Sequence, residues 1–341
     1  MKAKGNQTIK GKAFEYACLN SIVNNLIGRQ IPFMVVEDKA FITAATSFEM
    51  LSESDKTRYM AAANTAFKII LPLEPRLTTN EYAGKLTLKI NTDSKAKGSK
   101  GDVRDVVCIR SNLGWEIGFS CKHNHEALKH PRLTQQQARQ ERLTVADFGT
   151  NWLGYPCSEE YFQKALPHMQ MIREYEGFSW SEAFGEGERK FDVAYVPILK
   201  AVLEEIIALC KEHKDAPQKL LEYFFGSNDF YKIISLDSSS QTKVVAFNMN
   251  GTLNQPTPST KAVTKVPRLQ LPTRLIEGRF KEKANGEISK TTIALVFDHG
   301  WTINMRLHSA DSKVKVTGLK FDVQLEGNPH GIYQQQRPWN E

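Results

Sequence analysis

The chain has 341 residues, 41% of them hydrophobic and 24% charged, with a formal charge of +7. That length supports one large domain or two ordinary ones, each with its own core, and the composition is that of a soluble globular protein. No apolar run approaches the ~18 residues of a membrane span, and the basic start MKAKGNQTIKGKAFEY lacks the apolar stretch of a secretory leader, so a cytoplasmic protein with no membrane partner is expected. The five cysteines (Cys18, Cys108, Cys121, Cys157, Cys210) are scattered, odd in number and form no CxxC pair. Reduced thiols serving as small core residues are therefore expected, with no structural zinc. The positive charge favours polyanions, nucleic acid above all, through release of condensed counterions.

In chain order, residues 8–27 read as a helix, with Phe14, Ala17, Cys18, Ile22, Val23 and Leu26 at helical spacing and Gly28 as the stop. Glu15 lies on the edge of that stripe, in line with Leu19, Ile22 and Leu26. Further helices are predicted near 38–51 and 54–71, ending at the Pro72–Pro75 turn. Residues 85–91 alternate like a strand, and a polar loop with Lys95, Lys97 and Lys100 follows. After a hairpin at 103–122, helical patterns recur at 134–146, 158–176 and 197–213. From about 229 the texture changes to alternating β-branched segments (KIISL, KVVAFN, IALVFD, WTINMRL and LKFDVQL) separated by turns such as NQPTPST. The expected architecture is α/β, a mixed sheet flanked by helices over residues 1–228, with a β-rich part at 229–341 available for DNA recognition.

The hairpin carries the chemistry. Asn112, Leu113 and Gly114 are turn residues, so Arg110 pairs with Trp115, Ile109 with Glu116, Val107 with Gly118 and Asp105 with Ser120. Strand side chains alternate; Val106, Cys108, Ile117, Phe119 and Cys121 then share one wholly apolar face, and Asp105, Ser120, Lys122 and Glu116 share the other. A slip of one residue would mix polar and apolar groups on both faces, so burial selects this register.

An acid, a small oxygen ligand and a lysine two residues beyond it make a face that resembles the working face of the PD-(D/E)xK nucleases. Magnesium takes an octahedral oxygen shell with one or two carboxylates and several waters. It polarises a phosphate and acidifies bound water, while a lysine beside that water stabilises developing negative charge. Asp105 is the expected metal ligand and Lys122 the charge stabiliser. Ser120 stands where the superfamily carries an acid, so a further carboxylate is required. Glu116 lies four residues from Ser120, ~13 Å along a strand, too far to share an ion comfortably. Asp102 at the strand entrance and Glu15 on the first helix are better placed, and Gly11-Lys-Ala-Phe-Glu15 is similar to the superfamily's Gly-x-x-x-Glu pattern.

GDVRDVVCIR with WEIGFSCKHNHEALKH, and the later DHGWTINMRLHSADSKV with LKFDVQLEGNP, resemble the HaeIII-type type II restriction endonucleases. The resemblance implies a Mg2+-dependent enzyme cutting both strands of double-stranded DNA at GGCC, and a methyltransferase as functional partner. It points to Asp102 or Asp105, Ser120 and Lys122. A palindromic target suggests a homodimer, because protein symmetry then matches DNA symmetry. A repair or structure-specific nuclease on the same core, or a DNA-binding protein with a decayed site, are the alternatives.

Cationic groups flank the hairpin as phosphate binding requires. Lys95, Lys97, Lys100 and Arg104 precede it; His123, His125, Lys129, His130 and Arg132 follow. The adjacent His123-Asn124-His125 is no HNH motif, whose residues are spread over a ββα unit. Gln135, Gln136, Arg139, Arg142, Arg274, Arg279 and Arg306 are of the type that reads GC pairs, while Trp115 and Trp301 are expected in the core.

Overall fold

The computed structural model describes residues 2–92, 102–128, 130–133 and 155–340. The expected helix 134–146, together with Lys95, Lys97, Lys100, Lys129, Gln135, Gln136, Arg139 and Arg142, lies outside the described residues.

Helix α1 (Lys2–Gly28) buries Phe14, Ala17, Cys18, Ile22 and Leu26 on the predicted stripe. A short strand β1 (Phe33–Val35) leads to α2 (Lys39–Glu49), whose Asp38 N-cap accepts hydrogen bonds from the Ala40 and Phe41 amides at 2.9 and 3.1 Å. Helix α3 (Glu53–Ile70) starts at Ser52, whose hydroxyl accepts from the Asp55 amide at 3.1 Å. Each cap satisfies amides that have no partner within the helix. The proline turn becomes a single helical turn, α4 (Pro75–Thr78), before β2 (Leu86–Ile90), β3 (Val106–Arg110) and β4 (Trp115–His123). Helices α5 (Glu159–Glu174), α6 (Trp180–Phe184), α7 (Val196–Glu212) and α8 (Ala216–Phe225) precede β5 (Phe230–Leu236) and β6 (Gln241–Phe247). Strands β7 (Leu275–Glu282), β8 (Ile288–Phe297), β9 (Thr302–Ser309), β10 (Leu319–Leu325) and β11 (Tyr333–Pro338) complete the chain's regular structure.

The strands form two sheets: a seven-stranded one in the order β1-β2-β3-β4-β5-β6-β11 and a four-stranded one in the order β10-β9-β8-β7. The larger sheet is mixed, with β1–β2 and β4–β5 parallel and its other pairs antiparallel. The α/β expectation holds. The change of texture near 229 does not separate the sheets, however, because β5, β6 and β11 join the larger one. A sequence pattern shows that a segment is extended; it does not show which edge the segment will find.

Each face of the larger sheet has its own core. One is covered by α1 and α3 and contains Phe67 edge-on to Phe119 at 5.1 Å. The other meets the smaller sheet and α5, α7 and α8, where Phe225 packs edge-on to Trp301 at 5.5 Å. Burying such side chains contributes about 1.5–3 kcal/mol apiece. The hairpin is thus sandwiched, and only its strand ends are open to solvent. Trp115 and Trp301 are core residues, and Trp301 Nε1 donates to the Gln270 carbonyl at 2.7 Å.

Candidate active site

The hairpin adopts the register that burial selects: Arg110 opposite Trp115, Ile109 opposite Glu116 and Val107 opposite Gly118. Val106, Cys108, Ile117, Phe119 and Cys121 are buried under α1 and α3. Asp105 sits one residue before β3, its amide bonded to the Phe119 carbonyl and its carbonyl to the Asn91 amide, both at 2.8 Å. Its backbone is therefore fixed by both neighbouring strands. Its carboxylate Oδ2 accepts from the Cys121 amide at 2.7 Å, from Lys122 Nζ at 3.2 Å and from the Ser120 hydroxyl at 3.5 Å. The amide contact sets the carboxylate's orientation, and the lysine lies against the same oxygen.

Glu15 approaches from α1, which packs across β4. It is buried and paired with Lys12 one turn earlier, Nζ to Oε1 at 3.0 Å. Burial pushes its pKa up to about 8, and the negative charge of Asp105 adds to the rise; Lys12 and Lys122 pull the other way. Burial also works against the charge on Lys122, but Asp105 and Glu15 outweigh it and hold the ammonium above the usual lysine range. The charge of Asp105 thus disfavours the ionised form of Glu15, even with Lys12 paired to it. A divalent cation would reverse that penalty. Among the described residues no group of three or more His, Cys, Asp or Glu side chains converges tightly enough to hold a metal by itself. The donor set is that of two carboxylates and a hydroxyl, which fits the few protein ligands that magnesium requires.

Asp102 is placed differently. Arg104 grips it with two bonds of 2.8 Å, from Nε to Oδ1 and from Nη2 to Oδ2, and reaches Glu116 at 2.6 Å. Burial opposes the charge on Asp102, yet this guanidinium holds its carboxyl below the usual range. Gly118 makes the clamp possible: a Cβ there would lie 2.1 Å from Arg104 Cδ, so only glycine lets the side chain cross the strand. The geometry brings Asp105, Ser120 and Lys122 together, with Glu15 buried on α1 within reach of their charges, and leaves Asp102 in a separate ion-pair cluster. It also takes Arg104, 5% exposed, away from the surface expected to grip DNA.

The histidines divide similarly. His123 lies against Tyr59 and Phe14, with ring centroids 4.6 and 6.3 Å away, and its Nε2 is 3.3 Å from Asp237. Its side chain is 9% exposed, a packed position that offers little to a phosphate. His125 stays near the lysine; burial pushes its pKa down to about 4, and the charges of Lys122 and His130 add to the fall. His130 lies between His125 and His308, with centroids at 6.3 and 6.4 Å. Arg132 Nη1 donates to the Thr317 carbonyl, which ties it to the fold. Arg274, Arg279 and Arg306 are exposed, Arg279 beside Glu277.

Two lysines near the site escaped the sequence reading. Lys12 was legible in principle, since i,i+3 residues share a helix face. Lys232 was not: it looks like any residue of the KIISL strand, and only the pairing of β5 with β4 sets it opposite Ser120. Burial, reinforced by Lys122, pushes its pKa down to about 7.

A mixed sheet flanked by helices, with Asp105 and Lys122 in contact at one hairpin and the buried Glu15 of α1 coupled to their charges, defines a nuclease-like α/β protein. The chain belongs to the HaeIII restriction endonuclease family, whose model matches residues 11–329. That span takes in the GKAFEY helix, the hairpin and the C-terminal LEGNP block. The type II restriction enzyme HaeIII of Haemophilus aegyptius is 34% identical over 344 residues, covering 100% of both chains. No solved structure matches. The protein is accordingly a restriction endonuclease by family, a nuclease whose substrate is DNA. Among the described residues no helix is long and apolar enough to cross a membrane.

Proposed function

We propose that this chain is a type II restriction endonuclease that makes double-strand cuts in duplex DNA at a short palindrome, GGCC by likeness to its relative, through Mg2+-assisted phosphodiester hydrolysis. The observation that carries this reading is the Asp105–Lys122 contact at the end of one hairpin, with the buried Glu15 of α1 feeling both of their charges. Asp105 and Glu15 would hold the cation, with the Ser120 hydroxyl beside them, and Asp102 serves instead to anchor Arg104. When bound, magnesium supplies charge for the scissile phosphate and a more acidic water. Lys122 keeps its proton in this setting and places a fixed positive charge where the phosphate gains negative charge, an interaction worth more in the transition state than before it. The Cys121 amide holds Asp105 still while this happens.

The substrate's two-fold symmetry calls for a homodimer, so that two such sites face the two strands, and a methyltransferase of matching specificity would protect host DNA. Plasmid digestion with magnesium, followed by sequencing of the fragment ends, tests the reading. Discrete ends at GGCC are expected. Smeared products, preference for branched substrates, or no cutting with an intact fold would overturn it.

A further inference from the structure

Between the two sheets lies a cavity of about 290 Å³ that the hairpin chemistry does not use. Its floor continues the catalytic face: Ser120 pairs with Lys232, Lys232 with Val245, and Val245 with Gln334. Paired strands run ~4.8 Å apart, so the cavity opens one strand away from the Asp105–Lys122 contact. Its roof is the smaller sheet, where Asn304 and Gln324 are direct cross-strand partners. Two of the lining polar groups are more than nine-tenths buried, Lys232 at 4% and Asn304 at 5% exposure. Asn304 Nδ2 donates to Glu326 at 2.7 Å, while its Oδ1 is buried without a hydrogen-bond partner. An orphaned buried acceptor carries a desolvation penalty, and a turn of the Asn304 amide toward the cavity it lines would let a ligand's donor remove it.

The chemistry of the lining says which ligand. Lys243 and Lys281 are engaged by Glu126 and Glu326 at 3.0 and 2.6 Å, so an anion entering here would meet two carboxylates. A phosphodiester also has no donor for Asn304. A nucleobase edge offers donors and acceptors together, and Phe247, Val245 and Ile332 give its flat face apolar contact. We propose that this inter-sheet cavity reads a nucleobase edge close to the scissile phosphodiester, with Lys232 donating to it and Asn304 Oδ1 accepting from it. Lys232 and Asn304 are then specificity-determining residues, one from each sheet. This rests on the endonuclease reading above and adds where sequence is read.

The test uses the full-length protein. Wild type and the Asn304→Ala, Lys232→Met and Gln324→Ala variants digest a randomised plasmid library with magnesium, and the fragment ends are sequenced after thermal melting establishes that each is folded. Gln324→Ala, at a half-buried position, carries the test if either buried variant does not fold. Discrimination is expected to fall ten- to a hundredfold at one symmetry-related pair of positions, with the others unchanged. Discrete wild-type ends with unaltered or uniformly weakened variant profiles overturn this inference alone; a wild type that leaves no discrete ends overturns the endonuclease reading with it. Placing 2-aminopurine at the relaxed position and binding the duplex to Lys122→Ala protein separates the two sources of the base. Bright emission marks a base drawn out of the stack, and quenched emission an edge read within the duplex; either supports the inference.

Discussion

Two acidic clusters stand at the mouth of the same hairpin, and they are built in opposite ways. At Asp102, a guanidinium in bidentate contact satisfies the carboxylate and also reaches Glu116. At Asp105 the Lys122 ammonium meets one carboxylate at 3.2 Å, and Glu15, paired with its own Lys12, is still driven up to about 8 by burial and by the charge of Asp105. The first cluster is content as it stands and holds the hairpin's shape. The second holds a buried carboxyl, Glu15, in an unfavourable setting that a cation would relieve, which is why the proposed cation site is put there and not at Asp102.

If that contrast is right, substitutions should split by cluster. Lys122→Ala or Asp105→Asn is expected to lower kcat for plasmid cleavage by at least ~10²–10³-fold, the scale for losing one transition-state contact, with DNA affinity in a gel shift largely retained for Lys122→Ala. Cleavage within tenfold of wild type would remove either residue from the chemistry. Arg104→Ala should act on the fold instead. Leaving Asp102 without its partner costs about 3 kcal/mol, read as a lower denaturant midpoint, while the protein that remains folded still cuts. A variant with full stability and no activity would put Asp102 and Arg104 back in the site.

Much of this division was legible before any coordinates. The register of the hairpin followed from a single demand, that Val106, Cys108, Ile117, Phe119 and Cys121 be buried together, and that demand also aimed Asp105 and Lys122 at the same side. Glu15 was within reach because helical periodicity set it on the edge of a buried stripe. What could not be read was any feature created by pairing of distant segments. Asp102 and Asp105 are both acids three residues apart, and nothing local says that Arg104 will fold back over Gly118 and take one of them. Nor does the KIISL segment announce that Lys232 lies opposite Ser120, since that requires a parallel pairing across more than a hundred residues.

The pH dependence of cation binding sharpens the comparison further. Below about pH 8 Glu15 carries a proton in the free protein, and a cation must displace it. Apparent Mg2+ affinity is expected to rise by up to ~10-fold per pH unit up to about 8 and to level off above it. In the cation-free protein the sign of the stability effect is reversed. The folded-state value lies above the ordinary 4.5, so the unfolded chain ionises first and stability declines as pH climbs from 4.5 to 8. Glu15→Gln should flatten both profiles. Isothermal titration across pH 6–9 checks the first and denaturant melts without metal check the second; an affinity that ignores pH would take Glu15 out of the cation's shell.

The smallest expected effect belongs to His125, on the same strained side of the hairpin. Burial holds its pKa near 4, and the charges of Lys122 and His130 add to the depression. At pH 7 the folded imidazole is neutral and the unfolded one mostly so, and its contribution to the pH slope there is small. As pH falls below the ordinary value of 6.5, the unfolded chain takes up a proton that the folded chain refuses until about 4. Stability attributable to this one group is therefore lost between pH 6.5 and 4. His125→Gln should make the decline in Tm across that window shallower, by only a few degrees because the ring is partly exposed and the mutated group is one of several titrating there. The satisfied cluster gives the control. Asp102 has its carboxyl depressed below the ordinary carboxylate value, so its contribution disappears only at lower pH, and Asp102→Asn should leave the slope between pH 6.5 and 5 untouched. If both substitutions flatten the same part of the curve, the two clusters are electrostatically one, and the distinction between a strained site and a satisfied scaffold fails.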